Sequence, residues 1–525
     1  MGKRIIRLLT AIAAAALLIM SFTSCGKDTN QTATIKGIVV EKPAHPVAET
    51  SAMEGGMPGR ESGEAGGAPG AAAGGERGGA PGGAGGAPGE AGRAGGPPGG
   101  FGGGSKSTPA VYVDNGKYSA GKSKVGLVTG GKFDDKFASG LKIKAEGGDI
   151  GGVYVSGLKS EYTISDANID LSGNGSFGLA GPGSGASADN YGTLIIRNST
   201  ITTSGENRNA TAAQNHSILK VYNSTLTANG VPFEPDFTNT EQKKQLEIDG
   251  NSRTHVTLSN SYSYFYYCTV IANGWAALST DGAQGFVYLE ANHCTVKTIK
   301  AGYGTYADMG CHVSINDSDF DVASMAGIMA GEADITFRNT KAKCGTYFVL
   351  MHSIGGPEEL SYLKVTGGEI ETKSPVVLIK SANADISFDG VSMTSESGVL
   401  LKSVISVDPQ AAKAANTKGQ DVYGIQATFK DMYVEGDVDH SADKENRNMT
   451  IYLESTTLKG AVKDARISIN PRSKWVATSD SNVTIIGDVN VSQIDAPKGV
   501  TINAVSSESG SYTLASGGTL ILKKS

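Results

Sequence analysis

Apolar and polar positions follow one short pattern that recurs along much of this chain. Written as apolar, any, apolar, any, turn residue, any, any, apolar, it appears as Tyr162, Ile164, Asp166, Ile169 and again as Leu194, Ile196, Asn198, Ile201. Further copies are Leu219, Val221, Asn223, Leu226; Val313, Ile315, Asp317, Phe320; and Ile335, Phe337, Asn339, Ala342. Later copies drift but hold their spacing: Leu363, Val365, Gly367, Ile370; Ile386, Phe388, Gly390, Met393; Ala427, Phe429, Asp431, Val434; and Ile451, Leu453, Ser455, Leu458. Between Leu226 and Val313 the pattern blurs. The first apolar pair has the period of two that marks a strand with one buried face. Asn, Asp and Gly accept a left-handed backbone at low cost, so a strand can bend sharply there and start another. Most successive copies lie about 22 to 41 residues apart, which fits one turn of a solenoid plus loops of variable length.

The pattern therefore predicts an all-β chain of stacked coils. A β-sandwich array would instead favour two-residue hairpins; Asn229-Gly230 and Asn273-Gly274 exist, but most copies lack such a turn. Over roughly residues 140–490 the repeat resembles the right-handed parallel β-helix proteins of the pectate-lyase-like superfold. That resemblance implies side chains stacked in ladders at the bends. About 400 residues at roughly 25 per coil, with about 4.8 Å between stacked strands, would make a body of order 75 Å long. The alternating tail, with Trp475, Val483, Ile485, Val489, Val491, Leu520 and Leu522, is expected to continue the coils and cap them, because an uncovered last coil leaves a sheet edge open.

Composition divides the chain. Glycine accounts for 72 of the 525 residues, and much of it lies between Glu54 and Gly104, where large apolar residues are almost absent. Such a stretch cannot build a core. The triplets Ala80-Pro81-Gly82 and Ala87-Pro88-Gly89 are out of phase in any three-residue count, so a collagen period fails and a flexible Gly/Ala/Pro-rich linker is expected, spanning roughly 40 Å. Ahead of it, Lys3, Arg4 and Arg7 precede an apolar run from Leu8 to Met20, the order of an export signal and too short to cross a bilayer. Phe22-Thr23-Ser24-Cys25-Gly26 resembles the lipobox of bacterial lipoproteins. The resemblance implies cleavage before Cys25, acylation of that residue and stable attachment to a membrane, since two or more chains suffice for anchoring. The expected organisation is a signal peptide at 1–24, a lipid-anchored tether at 25–110 and a β-helix with its cap at 111–525, exported and held at the cell surface.

A net charge of −6 gives no long-range attraction for phosphate backbones, and nucleic acid is set aside as a partner. Besides Cys25, the cysteines are Cys268, Cys294, Cys311 and Cys344, none in a C-x-x-C pair, so no metal site is expected. Cys268-Thr269-Val270 and Cys294-Thr295-Val296 repeat about one coil apart, which suggests stacked positions, with the thiols either inward as small apolar groups or joined as a disulfide.

Tyr262, Tyr264, Phe265, Tyr266 and Tyr267, followed by Trp275, form the densest aromatic run in the chain. Alternation would turn Tyr262, Tyr264 and Tyr266 to one side, where sugar rings could stack, or the run could pack a widened coil. Thr280-Asp281-Gly282 resembles part of the Asn-Thr-Asp-Gly motif of polygalacturonase-type β-helix hydrolases, with Ser279 in place of the Asn; a plain turn is the other reading. Those enzymes also need Gly-His-Gly, which is absent, and Arg-x-Lys, found only at Arg472-Ser473-Lys474, many coils away. Uronate lyases of the same superfold use a basic residue and commonly calcium; Asp308, His312, Asp317 and Asp319 are close in sequence but differ in parity. No complete catalytic signature emerges. Two readings follow: a surface rod that binds a polysaccharide or a neighbouring surface, with Tyr262, Tyr264, Tyr266, Trp275 and Asp281 as candidate contacts and no cofactor; or a carbohydrate-active lyase or hydrolase, with calcium the ion that the lyase alternative would admit.

Overall fold

The computed structural model describes residues 108–175, 183–230, 246–248, 250, 252–282, 285–354, 358–407 and 423–525. The expected signal segment, the Cys25 anchor and nearly all of the tether lie outside the described residues. The described body is a parallel β-helix with three strands per coil.

Each copy of the sequence pattern supplies two of these strands. Glu161–Ser165, Thr193–Arg197, Ile218–Tyr222, Tyr262–Tyr266, Val287–Asn292 and Cys311–Asn316 stack in parallel register as a first sheet, which runs on to Thr519–Lys524. The second apolar position lines the core throughout: Ile196, Val221, Phe265, Ala291, Ile315, Phe337, Val365, Phe388 and Phe429 are register partners in turn. All are buried, and the Phe388 and Phe429 rings stack 5.6 Å apart. A second sheet holds Asn168–Ser172, Thr200–Ser204, Thr225–Asn229, Thr269–Asn273 and their successors.

Between the two sheets the chain turns on a single left-handed residue, as its chemistry predicts. Asp166, Asn198, Asn223, Asp317, Asn339, Gly367, Gly390, Asp431 and Ser455 all have φ between 46° and 62°. The hydrogen-bond ladder passes through the bend without a break: Asn198 N–H donates to Tyr222 O at 3.1 Å and Asn339 N–H to Thr366 O at 2.9 Å. Asn339 Nδ2 also donates to Asp317 Oδ1 of the preceding coil at 3.0 Å.

Just past the bend a column of small residues points inward: Ser199, Ser224, Cys268, Cys294, Ser318, Thr340, Thr456 and Ser473. Their side chains knit the coils together, as where Ala167 N–H, Ser199 N–H and Cys294 N–H donate to the hydroxyls of Ser199, Ser224 and Ser318 at 3.0 Å each. Cys268 and Cys294 therefore occupy equivalent stacked positions, and both are free buried thiols.

The third sheet carries no distinctive sequence pattern because both its faces are covered. Its strands include Arg253–Leu258, Ala276–Asp281, Tyr303–Ala307, Gly327–Ala330, Val349–His352 and Val377–Lys380. Outside it Leu246, Trp275, Tyr303, Ile328, Leu350 and Leu378 form a second apolar cluster. Glu247 fastens this cover by accepting from Tyr347 Oη at 2.9 Å and pairing with Lys380 Nζ at 3.3 Å. Both ends of the solenoid are closed by reversed strands, Val128–Phe133 against Phe137–Glu146 and Gly510–Thr513 against Thr519–Lys524. An antiparallel closing strand blocks further parallel addition.

Candidate functional site

The outward residues of the first sheet fall into three columns, since every second side chain leaves the core and the coils are in register. One column reads Ile218, Tyr262, Tyr288, His312; the next Lys220, Tyr264, Glu290, Ser314; the third Arg197, Tyr222, Tyr266, Asn292, Asn316. The aromatic run thus becomes part of a two-dimensional array. Tyr222 and Tyr266 stack with centroids 5.2 Å apart and planes 10° from parallel, and the Arg197 guanidinium lies over Tyr222 at 4.4 Å. Tyr264 meets Tyr288 at 5.9 Å, and Phe286, at the preceding corner, stacks on His312 at 4.7 Å and meets Tyr262 at 5.9 Å. Tyr264 is buried by its neighbours, whereas Tyr222, Tyr262, Tyr266, Phe286, Tyr288 and His312 are half-buried and offer ring surface to solvent.

Glu290 sits at the centre of the array. Its carboxylate accepts from Tyr288 Oη at 2.8 Å, Asn292 Nδ2 at 2.6 Å and Tyr266 Oη at 3.4 Å. Burial, and then the Glu290 charge, push the Tyr264 phenol up to about 12 and raise those of Tyr266 and Tyr288 further. All three phenols therefore remain protonated donors at neutral pH. Their faces give apolar contact, while Glu290, Asn292, Ser314 and Asn316 supply fixed polar groups beside them, the pairing that a sugar ring with one apolar face and equatorial hydroxyls requires.

Neither protein-family models nor curated proteins give a match to this chain.

The other candidates stand elsewhere. Trp275 belongs to the cover of the third sheet; it is 6% exposed, packs edge-on against Tyr303 at 5.5 Å and carries the Arg253 guanidinium over its ring at 4.5 Å. Asp281 closes a strand of that same sheet one coil before Asp308, at the position in line with it. Asp308 is 7% exposed, and its Oδ1 accepts from Gly282 N–H at 2.5 Å and from the Cys311 thiol at 3.2 Å. Burial, reinforced by the Asp281 charge, brings Asp308 up to about 7; burial also raises Asp281, against the attraction of Arg253. His312 pairs with Asp334 at 3.2 Å on the first sheet, Asp317 with Arg338 at 2.9 Å at the bend, and Asp319 lies outward on the second sheet. The segment from Asp308 to Asp319 is thus spread over three faces. Among the described residues no group of three or more His, Cys, Asp or Glu side chains is placed to hold a metal ion.

Sequence reasoning found three residues of the array and missed Tyr222, Phe286, Tyr288, Glu290 and Arg197. Tyr222 stands just before the bend of a copy that was recognised, as do Arg197 and Asn316. Aligning every copy on its bend would have brought this column into view.

Proposed function

We propose that this chain is an exported, lipid-anchored surface protein whose β-helix body binds a polysaccharide across the outer face of its first sheet. The observation that carries this reading is the aromatic array itself: half-exposed rings on four successive coils, set around the hydrogen-bonded Glu290 carboxylate. Successive coils are about 4.8 Å apart, so the array offers repeated ring faces along a line, as a linear polymer of sugar units requires. The Cys25 anchor and the Gly/Ala/Pro-rich tether would hold that face clear of the membrane. Among the described residues no helix is long and apolar enough to cross one.

Retention tests this reading. The full chain is passed over immobilised neutral and acidic polysaccharides, with and without calcium, while soluble products are followed. Retention that falls at least tenfold in Tyr222→Ala/Tyr266→Ala, without new reducing or unsaturated ends, supports binding; equal retention of wild type and variant overturns it. One observation favours a carbohydrate-active enzyme as the second reading. Asp308, held near 7 beside Asp281, has the proton affinity of a general acid. Product release that is lost in Asp308→Asn would select the enzyme.

A further inference from the structure

At the far end of the same sheet the outer face is not flat. A pocket of about 390 Å³ is floored by outward residues of the last coils, Arg466, Asn482, Thr484, Asn503, Val505 and Lys523, and walled by the loop that carries Lys444 and Asn448. Its size is that of a site for one or two sugar units.

The wall is fixed from beneath. His440, Asp443 and Arg447 of this loop are each at most 1% exposed. Arg447 Nε pairs with Asp443 Oδ2 at 2.5 Å, and Arg447 Nη1 donates to Asn383 Oδ1 at 3.3 Å. His440 Nε2 donates to Arg447 O at 3.0 Å, which leaves Nδ1 to accept from Ser403 Oγ at 2.5 Å. A buried ion pair adds little net stability over apolar packing, because desolvation offsets most of the attraction. Together with the His440 bonds it ties the loop to Asn383 and Ser403 of the solenoid wall. Across the mouth, Lys444 Nζ reaches Asp464 Oδ1 at 3.2 Å.

The charges in the pocket are unequal. Lys444 is matched by Asp464 and Glu445 adds a second carboxylate on the wall, whereas Arg466 and Lys523 on the floor are exposed and make no ion pair among the described residues. Between them lie the amides of Asn482 and Asn503 and the hydroxyl of Thr484, groups that both donate and accept. Two unmatched cations at the two ends of a row of neutral amides, in a preformed polar recess, suit a ligand that repeats an anionic group among several hydroxyls.

We propose that this pocket binds the carboxylate-bearing residue of an acidic saccharide. Arg466 takes the carboxylate, Asn482, Asn503 and Thr484 take the hydroxyls, and Lys523, three coils or about 14 Å further along the sheet, meets the next acidic residue of the saccharide. The inference rests on polysaccharide being the ligand of the aromatic array and narrows its class to a uronate-containing polymer. Six coil steps, or roughly 29 Å, separate His312 from Arg466 along the first sheet, so one polymer running along this face could meet both.

The test separates the pocket from the array. Methyl-labelled full chain is titrated with free glucuronate and with glucose, reading the alanine and valine methyls at the pocket, Ala465, Ala504 and Val505. Saturable glucuronate shifts at these methyls, absent with glucose, reduced at least tenfold in apparent affinity in Arg466→Gln/Lys523→Gln and retained in Arg466→Lys/Lys523→Arg, support the proposal. No shift, equal shifts with both sugars, or shifts unchanged in the Gln variant overturn it. Unfolding midpoints equal to wild type establish that the variants fold. If pocket shifts persist while polymer retention ignores Tyr222→Ala/Tyr266→Ala, the array reading fails and the pocket stands.

Discussion

Tyr267 and His293 stack ring on ring, centroids 4.9 Å apart and planes 8° from parallel, and each occupies the left-handed bend of its coil, with φ of 57° and 52°. Neither residue type favours that conformation, which costs on the order of 1 kcal/mol or more away from Gly and Asn. Tyr267 is 62% exposed, so its stack recovers only about 0.5 kcal/mol. The double substitution Tyr267→Asn/His293→Asn should therefore raise stability by about 1 kcal/mol, seen as a higher urea midpoint at an unchanged slope. A lower midpoint would mean that the stack outweighs the strain.

The same two residues explain where the sequence was hard to read. Nine bends were recognisable because Asn, Asp, Gly or Ser stands at each, and there the β-helix followed from residue chemistry. In the two coils between Leu226 and Val313, Ser263, Phe265, Tyr267, Val270 and Leu289, Ala291, His293, Val296 keep the spacing but put an aromatic ring at the bend. The pattern blurred there, and those coils carry the centre of the aromatic array. The third sheet was illegible for a different reason. With Ile328, Leu350 and Leu378 covered outside and Gly327, Val349 and Val377 facing the core, its strands show no alternation. Trp275 looked like a neighbour of the tyrosines because only one strand and a turn separate them in sequence; the corner sends it to another face.

Asp308 should make stability fall as pH rises. Burial and Asp281 place its folded-state value near 7, above the ordinary carboxylate value of 3.8. Its favourable contribution is complete below about pH 4 and is lost as pH rises through 7. Asp308→Asn keeps an oxygen for the Gly282 N–H and removes the charge. The variant should gain on wild type progressively between pH 4 and pH 7, reaching about 1–3 kcal/mol at pH 8. Thermal unfolding at pH 5 and pH 8 checks this, and a pH-independent difference would rule it out.

His255 should act at the acid end. It is fully buried on the third sheet, bridging Thr211 Oγ1 at 3.0 Å and Thr257 Oγ1 at 2.8 Å, with its ring edge-on to Phe265 at 4.8 Å. Burial lowers it to about 3, so the unfolded chain takes up this proton more readily than the folded one. The stability it supports is present above the unfolded value of 6.5 and is lost as pH falls toward 3, by up to ~4 kcal/mol. Urea unfolding of His255→Gln should show a weaker fall between pH 6.5 and pH 4 than wild type; parallel curves would refute the assignment.

Cys268 tests the inward column behind the bends. Its thiol donates to Tyr266 O at 3.4 Å and takes a hydrogen bond from the Ser224 N–H, while a bond from the Cys294 thiol holds it below the ordinary cysteine value against the effect of burial. Serine fills the equivalent place at 199, 224, 318 and 473, with its hydroxyl accepting from the preceding coil at 199, 224, 318 and 473 alike. Cys268→Ser should therefore cost less than about 0.5 kcal/mol, because both partners remain satisfied. Cys268→Val fits the same space, as Val391 does just past the bend at Gly390, but leaves the Ser224 N–H without its acceptor, at a cost of about 1–2 kcal/mol. Urea midpoints of the two variants decide the matter. If valine is tolerated as well as serine, the column is held by packing alone, and the sulfur and hydroxyl groups along it contribute nothing beyond their volume.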